Sequence, residues 1–167
     1  NSPDTLREVF FHLYQNAYEA GSYLEKLERS QGGDAWDTTV RRGTDVLSLQ
    51  VDGQDAAREI DNTMMRVKLT KPLAPGERTT FEYTFRTHWA SGYRRMKLYN
   101  VWGFKHYDGT HWYPRISVYD KQHGWDTYQH LGTEFYGDFG TYDVELDMPN
   151  DMVLEATGWL QNPNEVM

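Results

Sequence analysis

The chain has six histidines, His12, His88, His106, His111, His123 and His130, and no cysteine. The absence of thiols excludes disulfide frameworks, thiolate zinc sites and cysteine nucleophiles together. A zinc hydrolase of the commonest kind carries His-Glu-x-x-His, which sets two imidazoles on one helix face with a general base beside them. No histidine here is followed by Glu, so that helix is missing. His106, Asp108 and His111 come closest to a ligand set, spaced His-x-Asp-x-x-His around Gly109. Three such side chains around a turn arise often by chance, and surface or interface histidines are the plainer reading.

Glycoside hydrolysis would need two carboxylates roughly 5–9.5 Å apart across a cleft, one with a raised pKa. Asp120, Asp126, Glu134 and Asp138 lie in an aromatic segment where sugar-stacking rings would also be wanted. Acidic loop residues are more often simply solvated. No Gly-x-Ser-x-Gly is present, and Gly92 and Gly103 belong to no phosphate-cradling loop. Trp89, Trp102, Trp112 and Trp125 can be read as a carbohydrate platform or, more economically, as interface and core rings.

The elements that would carry these residues read as strands. At 167 residues the chain is long enough for one core without covalent staples. Aromatics reach 15%, and large rings suit sheet faces. The net charge of −8 argues against nucleic acid, which needs clustered cations, and Arg41-Arg42 and Arg94-Arg95 are only pairs. No apolar run is long enough to span a membrane.

Period-two alternation recurs at strand-plus-turn spacing. Residues 6–14 put Val9, Phe11 and Leu13 on one face and Phe10, His12 and Tyr14 on the other, which predicts a strand covered on both sides. Residues 46–51 send Leu47, Leu49 and Val51 inward and end at Asp52-Gly53, a hairpin-turn signal. Met65, Val67 and Leu69, then Phe81, Tyr83 and Phe85, alternate with charged and polar residues. Residues 142–148 alternate most cleanly of all, and a turn at 149–151 leads to a last strand over 152–157. Residues 72–77 read as a loop. One short helix is predicted over 22–29, with Ser22 and Glu25 as a capping box, Leu24 and Leu27 on one face and Gly32-Gly33 as its stop. Between residues 90 and 139 the alternation fails, and a long ring-rich loop region is expected. The fold class is therefore all-β.

Three stretches together resemble a known family. Residues 1–18 (NSPDTLREVFFHLYQNAY) resemble the early strands of zinc aminopeptidases of the aminopeptidase N and leukotriene hydrolase type. Residues 112–125 (WYPRISVYDKQHGW) resemble the aromatic loop of the bacterial members. Residues 134–158 (EFYGDFGTYDVELDMPNDMVLEATG) are similar to the strand pair that closes their N-terminal domain. In order and spacing the likeness covers nearly all of the chain.

The resemblance implies a saddle-shaped β-sandwich, a single non-catalytic N-terminal domain over residues 1–167. Its partner is a catalytic domain of the same polypeptide, absent here, which holds the zinc, the general base and the Gly-x-Met-Glu-Asn motif for the substrate's amino group. This chain carries neither motif, so it should hydrolyse nothing alone and needs no cofactor of its own. In the parent it would form one wall of the cleft for peptide N-termini. Family members place a Gln, a spacer and a Glu or Gln just before a loop proline. Anchored on Pro114, those positions are His111 and Tyr113, with Trp112 between them. A neutral imidazole accepts from an ammonium and a phenol donates or accepts, so a substrate-binding role carries over in altered form.

The family's domain also opens with strands ahead of Asn-Ser-Pro-Asp that are missing here. This implies a start truncated within the domain and an open sheet edge beside residues 6–14. The resemblance points to a periplasmic, envelope or secreted parent, on which the residues themselves are silent. The alternative class is a carbohydrate- or ligand-binding sandwich using exposed Trp and Tyr rings.

Overall fold

The computed structural model describes residues 2–89, 96–133 and 135–163. Along the chain run β1 (Leu6–His12), a 3-10 turn (Tyr14–Tyr18), α1 (Tyr23–Ser30), β2 (Gly43–Val51), β3 (Gln54–Asp55) and β4 (Arg58–Asp61). Then follow β5 (Met64–Leu73), β6 (Phe81–His88), β7 (Lys97–Val101), β8 (Phe104–Asp108), β9 (Arg115–Ile116), β10 (Tyr119–Asp120) and β11 (Gly124–Trp125). The fold is all-β, with antiparallel sheets and one short α-helix.

Two sheets share one core. The first has strand order β4-β5-β1-β9 and the second β3-β2-β6. Val9, Phe11 and Leu13, with Met65 and Val67 of β5, meet Val46, Leu49 and Val51 of β2. Met65 and Val67 are fully buried, each contributing about 1.5–3 kcal/mol by leaving water. Phe11 reaches across to Phe81 and Tyr83, with ring centroids 5.2 and 6.0 Å away. The opposite face of β1 is covered as its sequence predicts. His12 and Tyr14 are buried, and Phe10 sits against Trp125 at 6.0 Å. β9 pairs only with Phe11 and His12, so no described strand lies beside β1 from Leu6 to Val9 on that flank.

Four readings need correction. Leu47 is 53% exposed and does not point inward. A bulge between Val46 and Ser48 turns it out and gives its core place to Val46, which is buried. Leu27 is exposed while Leu24 is buried under Trp36, so the helix docks by a narrower stripe than expected. β5 runs on through Pro72 to Leu73, so the loop begins only at residue 74, turns at Gly76 and runs to residue 80. The region from residue 90 onward is also less irregular than expected, since its described part contains the β7–β8 hairpin.

The largest departure is the final segment. Residues 142–148 and 152–157 form no strand, although the turn between them is present, with Met152 N–H donating to Pro149 O at 3.2 Å. Tyr142, Val144 and Leu146 are exposed, as are Val153 and Leu154. An alternating pattern specifies which face a strand would bury, but it makes a strand only when a neighbour completes the ladder. No such neighbour is found among the described residues.

α1 is capped at Ser22 as predicted, but the capping box is half formed, since Ser22 N–H donates to Glu19 O and not to the Glu25 carboxylate. Ser22 Oγ accepts from Glu25 N–H at 3.1 Å, and Glu25 accepts from Gly21 N–H and from Trp36 N–H, the latter at 2.7 Å. Gly32 ends the helix at φ 93°.

Candidate functional site

His111, Trp112 and Tyr113 lie on the segment that carries the chain from β8 into β9. Its backbone is pinned from the sandwich. Gln15 Nε2 donates to Thr110 O at 3.0 Å and His111 O at 3.3 Å. Thr87 Oγ1 donates to Trp112 O at 2.6 Å, and Tyr83 O–H donates to Pro114 O at 2.9 Å. Four carbonyls are thereby held by β6 and the 3-10 turn, and Pro114 is fully buried. Upstream, Gly109 lets the backbone pass close to Trp89, where an added Cβ would meet the ring at 3.2 Å. A loop held this way presents its side chains on a rigid frame.

His111 takes φ 52°, a left-handed conformation that histidine tolerates better than most residues. Its ring stacks on Phe135 at 3.7 Å and meets the edge of Tyr14 at 5.0 Å. Phe135 also stacks on His130 at 4.8 Å, and Tyr14 stacks on His12 at 4.8 Å. Tyr14 O–H donates to Tyr136 O at 3.3 Å, and burial pushes its phenol up to about 12.

Tyr113 faces a second set of rings, Trp112 at 5.5 Å and Tyr142 at 6.2 Å. Burial, reinforced by a hydrogen bond with Tyr142, pushes its phenol up to about 12. It is therefore a neutral donor and acceptor near neutral pH. The two expected subsite residues thus belong to neighbouring ring clusters on one pinned loop.

Other sequence candidates disperse. His106 Nε2 lies 3.0 Å from Asp108 Oδ1, while the His111 ring packs apart from them against Tyr14 and Phe135. Among the described residues no group of three His, Asp or Glu side chains could hold a metal ion. Asp120 accepts from Gln122 and His123 N–H, and these bonds, led by the one from His123, hold its carboxyl below the usual range. Asp126 lies beside His12, Asp138 meets Arg115 through its backbone, and Glu134 lies outside the described residues. Gly92 and the pair Arg94-Arg95 also lie outside them. The four tryptophans form no flat platform. Trp89 meets Tyr107 at 80°, Trp125 meets Tyr119 at 72°, and Trp102 stands in solvent.

The knot around Tyr14 is not foreshadowed by any motif in the sequence. Three histidine rings, from β1 and from positions 111 and 130, surround it within 5.3 Å. The only signal was bulk on the second face of β1.

No family model, curated protein or solved structure matches the chain. What the structure defines is an all-β class of antiparallel sheets. No described helix is long and apolar enough to cross a membrane.

Proposed function

We propose that this chain is a non-catalytic N-terminal domain of a zinc aminopeptidase. It would pack on the catalytic domain and form one wall of the cleft that receives peptide N-termini. The resemblance of three ordered stretches supports this reading, and one observation carries it furthest. Phe139, Tyr142, Val144, Val153 and Trp159, all between 58% and 106% exposed, crowd a single stretch of chain. So much apolar surface on one segment is what a domain leaves bare when a covering partner is absent. The zinc, and the base that works with it, would come from that partner.

In this reading His111 and Tyr113 border the first subsite. The His111 imidazole would accept from the substrate's ammonium, and the neutral Tyr113 phenol would orient it. Ring surface replaces the amide and carboxylate usual in the family, which suits an apolar first side chain. The carbohydrate-module reading needs coplanar exposed rings, and the dispersed tryptophans argue against it.

The test is to follow the reading frame beyond Met167. A downstream His-Glu-x-x-His with a distant Glu is the expected outcome. A stop codon, or a catalytic-type domain without those ligands, would sink the proposal.

A further inference from the structure

Trp102 and Phe104 flank Gly103 at the tip of the β7–β8 hairpin, 95% and 77% exposed. Trp102 and Gly103 both take positive φ, 49° and 89°, the two-residue turn that fits strand twist. Asn, Asp or Gly is favoured at the first of those positions, so turn formation does not account for an indole there. The hairpin is a two-stranded sheet of its own, joined to neither layer of the sandwich by a ladder. Its rungs run from Lys97↔Asp108 to Val101↔Phe104, a reach of about 17 Å at ~3.4 Å per residue. Tyr99 and Tyr107 are exposed behind the tip, and Lys105 follows Phe104 directly. Between Met96 and Tyr107 the chain has no carboxylate, although its net charge is −8.

We propose that this tip inserts into the headgroup region of an anionic phospholipid bilayer, as a peripheral contact and not a span. A protein groove is the rival occupant, and area decides against it. Two aromatic rings bury about 150–250 Å² each, well short of the roughly 800 Å² per partner of a stable protein interface. A bilayer sets no such threshold. It takes protruding apolar rings to headgroup depth, with amphipathic tyrosines and cations at the boundary. Charge fits as well. Screening at physiological salt acts over about 8 Å, so a surface meeting the tip feels Lys105 before Asp108, the hairpin's carboxylate at its base. The contact needs no catalytic partner, so it and the peptidase reading can fail separately.

The test is co-sedimentation of the full chain with vesicles of phosphatidylcholine, alone or mixed with phosphatidylglycerol. Binding should occur on both and be stronger on the mixture. W102A/F104A should lower the partition coefficient by about tenfold or more on both, as expected for two rings withdrawn from lipid. K105E should keep binding to phosphatidylcholine and lose the gain from phosphatidylglycerol. W102F keeps a ring at the tip, so it should still sediment while losing most of the emission quenching by spin-labelled lipid. All three positions are exposed, and an unchanged Tm checks that the variants fold. No sedimentation with either vesicle would overturn the proposal. So would a W102A/F104A variant that binds as wild type does, or a gain from phosphatidylglycerol that survives K105E.

Discussion

His12 Nε2 lies 3.7 Å from Asp126 Oδ2, beyond hydrogen-bonding reach, and the imidazole is only 3% exposed. Neither of its ring nitrogens has a hydrogen-bond partner among the described residues. Tyr14 stacks on the ring with planes only 6° apart, and Arg115 sits across the ladder on β9. Burial lowers the His12 pKa, Asp126 pulls it back up and Arg115 lowers it further. Near neutral pH the buried ring is therefore held in its neutral form.

That arrangement makes stability depend on pH. His12 has a folded pKa below 6.5, so the unfolded chain takes up its proton first as pH falls. Its contribution is complete above about pH 6.5 and is lost as pH drops through the lowered folded value. Burial raises the Glu19 carboxyl, which works the other way by favouring protonation in the fold. Urea midpoints at about pH 8 and about pH 5 should therefore fall toward acid in wild type, and fall less in His12→Phe, which keeps a ring for Tyr14.

The β2 bulge predicts a contrast between two nearby leucines. Leu49→Ala opens the shared core and should cost about 2–5 kcal/mol. Leu47→Ser changes a solvent-facing side chain and should stay within about 0.5 kcal/mol. Equal losses in urea unfolding would mean that Leu47 faces the core and the bulge is misplaced.

Ser22 holds the first turn of α1 through Glu25 N–H. Ser22→Ala should cost about 1 kcal/mol, and Ser22→Asp, which restores an acceptor, should recover most of it. Thermal unfolding reads both, and no recovery by Asp would point to packing and not capping.

At the candidate subsite burial pushes the Tyr113 phenol up to about 12, so it is neutral near neutral pH. In the proposed parent aminopeptidase, Tyr113→Phe and His111→Ala should each raise KM for an aminoacyl-anilide about tenfold, the scale of one hydrogen bond involving a charged group. kcat should change less, since neither group belongs to the metal centre. The Tyr113→Phe effect should be flat from neutral pH to about pH 10, because no ionisation of that phenol intervenes. Unchanged KM in both variants would remove this loop from the subsite.

How much could be read from the chain follows from how local each signal is. β1, β5 and β6 were legible because alternation, a period-two property, matched faces that the fold buries. The Ser22 cap and the Asp52-Gly53 turn were legible because a few adjacent residues determine them. Leu47 was not, since a bulge depends on the partner strand's register. Residues 142–148 failed for a related reason: their pattern names a face but not the strand that would complete it. The Tyr14 knot was hidden because its rings come from β1, the loop before β9 and position 130, far apart in sequence. His111 and Tyr113 were reached by resemblance, and the pinned loop that carries them came only with the structure.

We propose that these sheets support a metal centre belonging to another domain. The most direct measurement compares the purified chain with a polypeptide extended through the proposed catalytic domain, using zinc analysis and hydrolysis of an alanyl-anilide. The chain alone should hold no stoichiometric zinc and show no turnover, and the extended protein should show chelator-sensitive turnover. Zinc-dependent hydrolysis by the chain alone, or an extended protein lacking both zinc and activity, would contradict it.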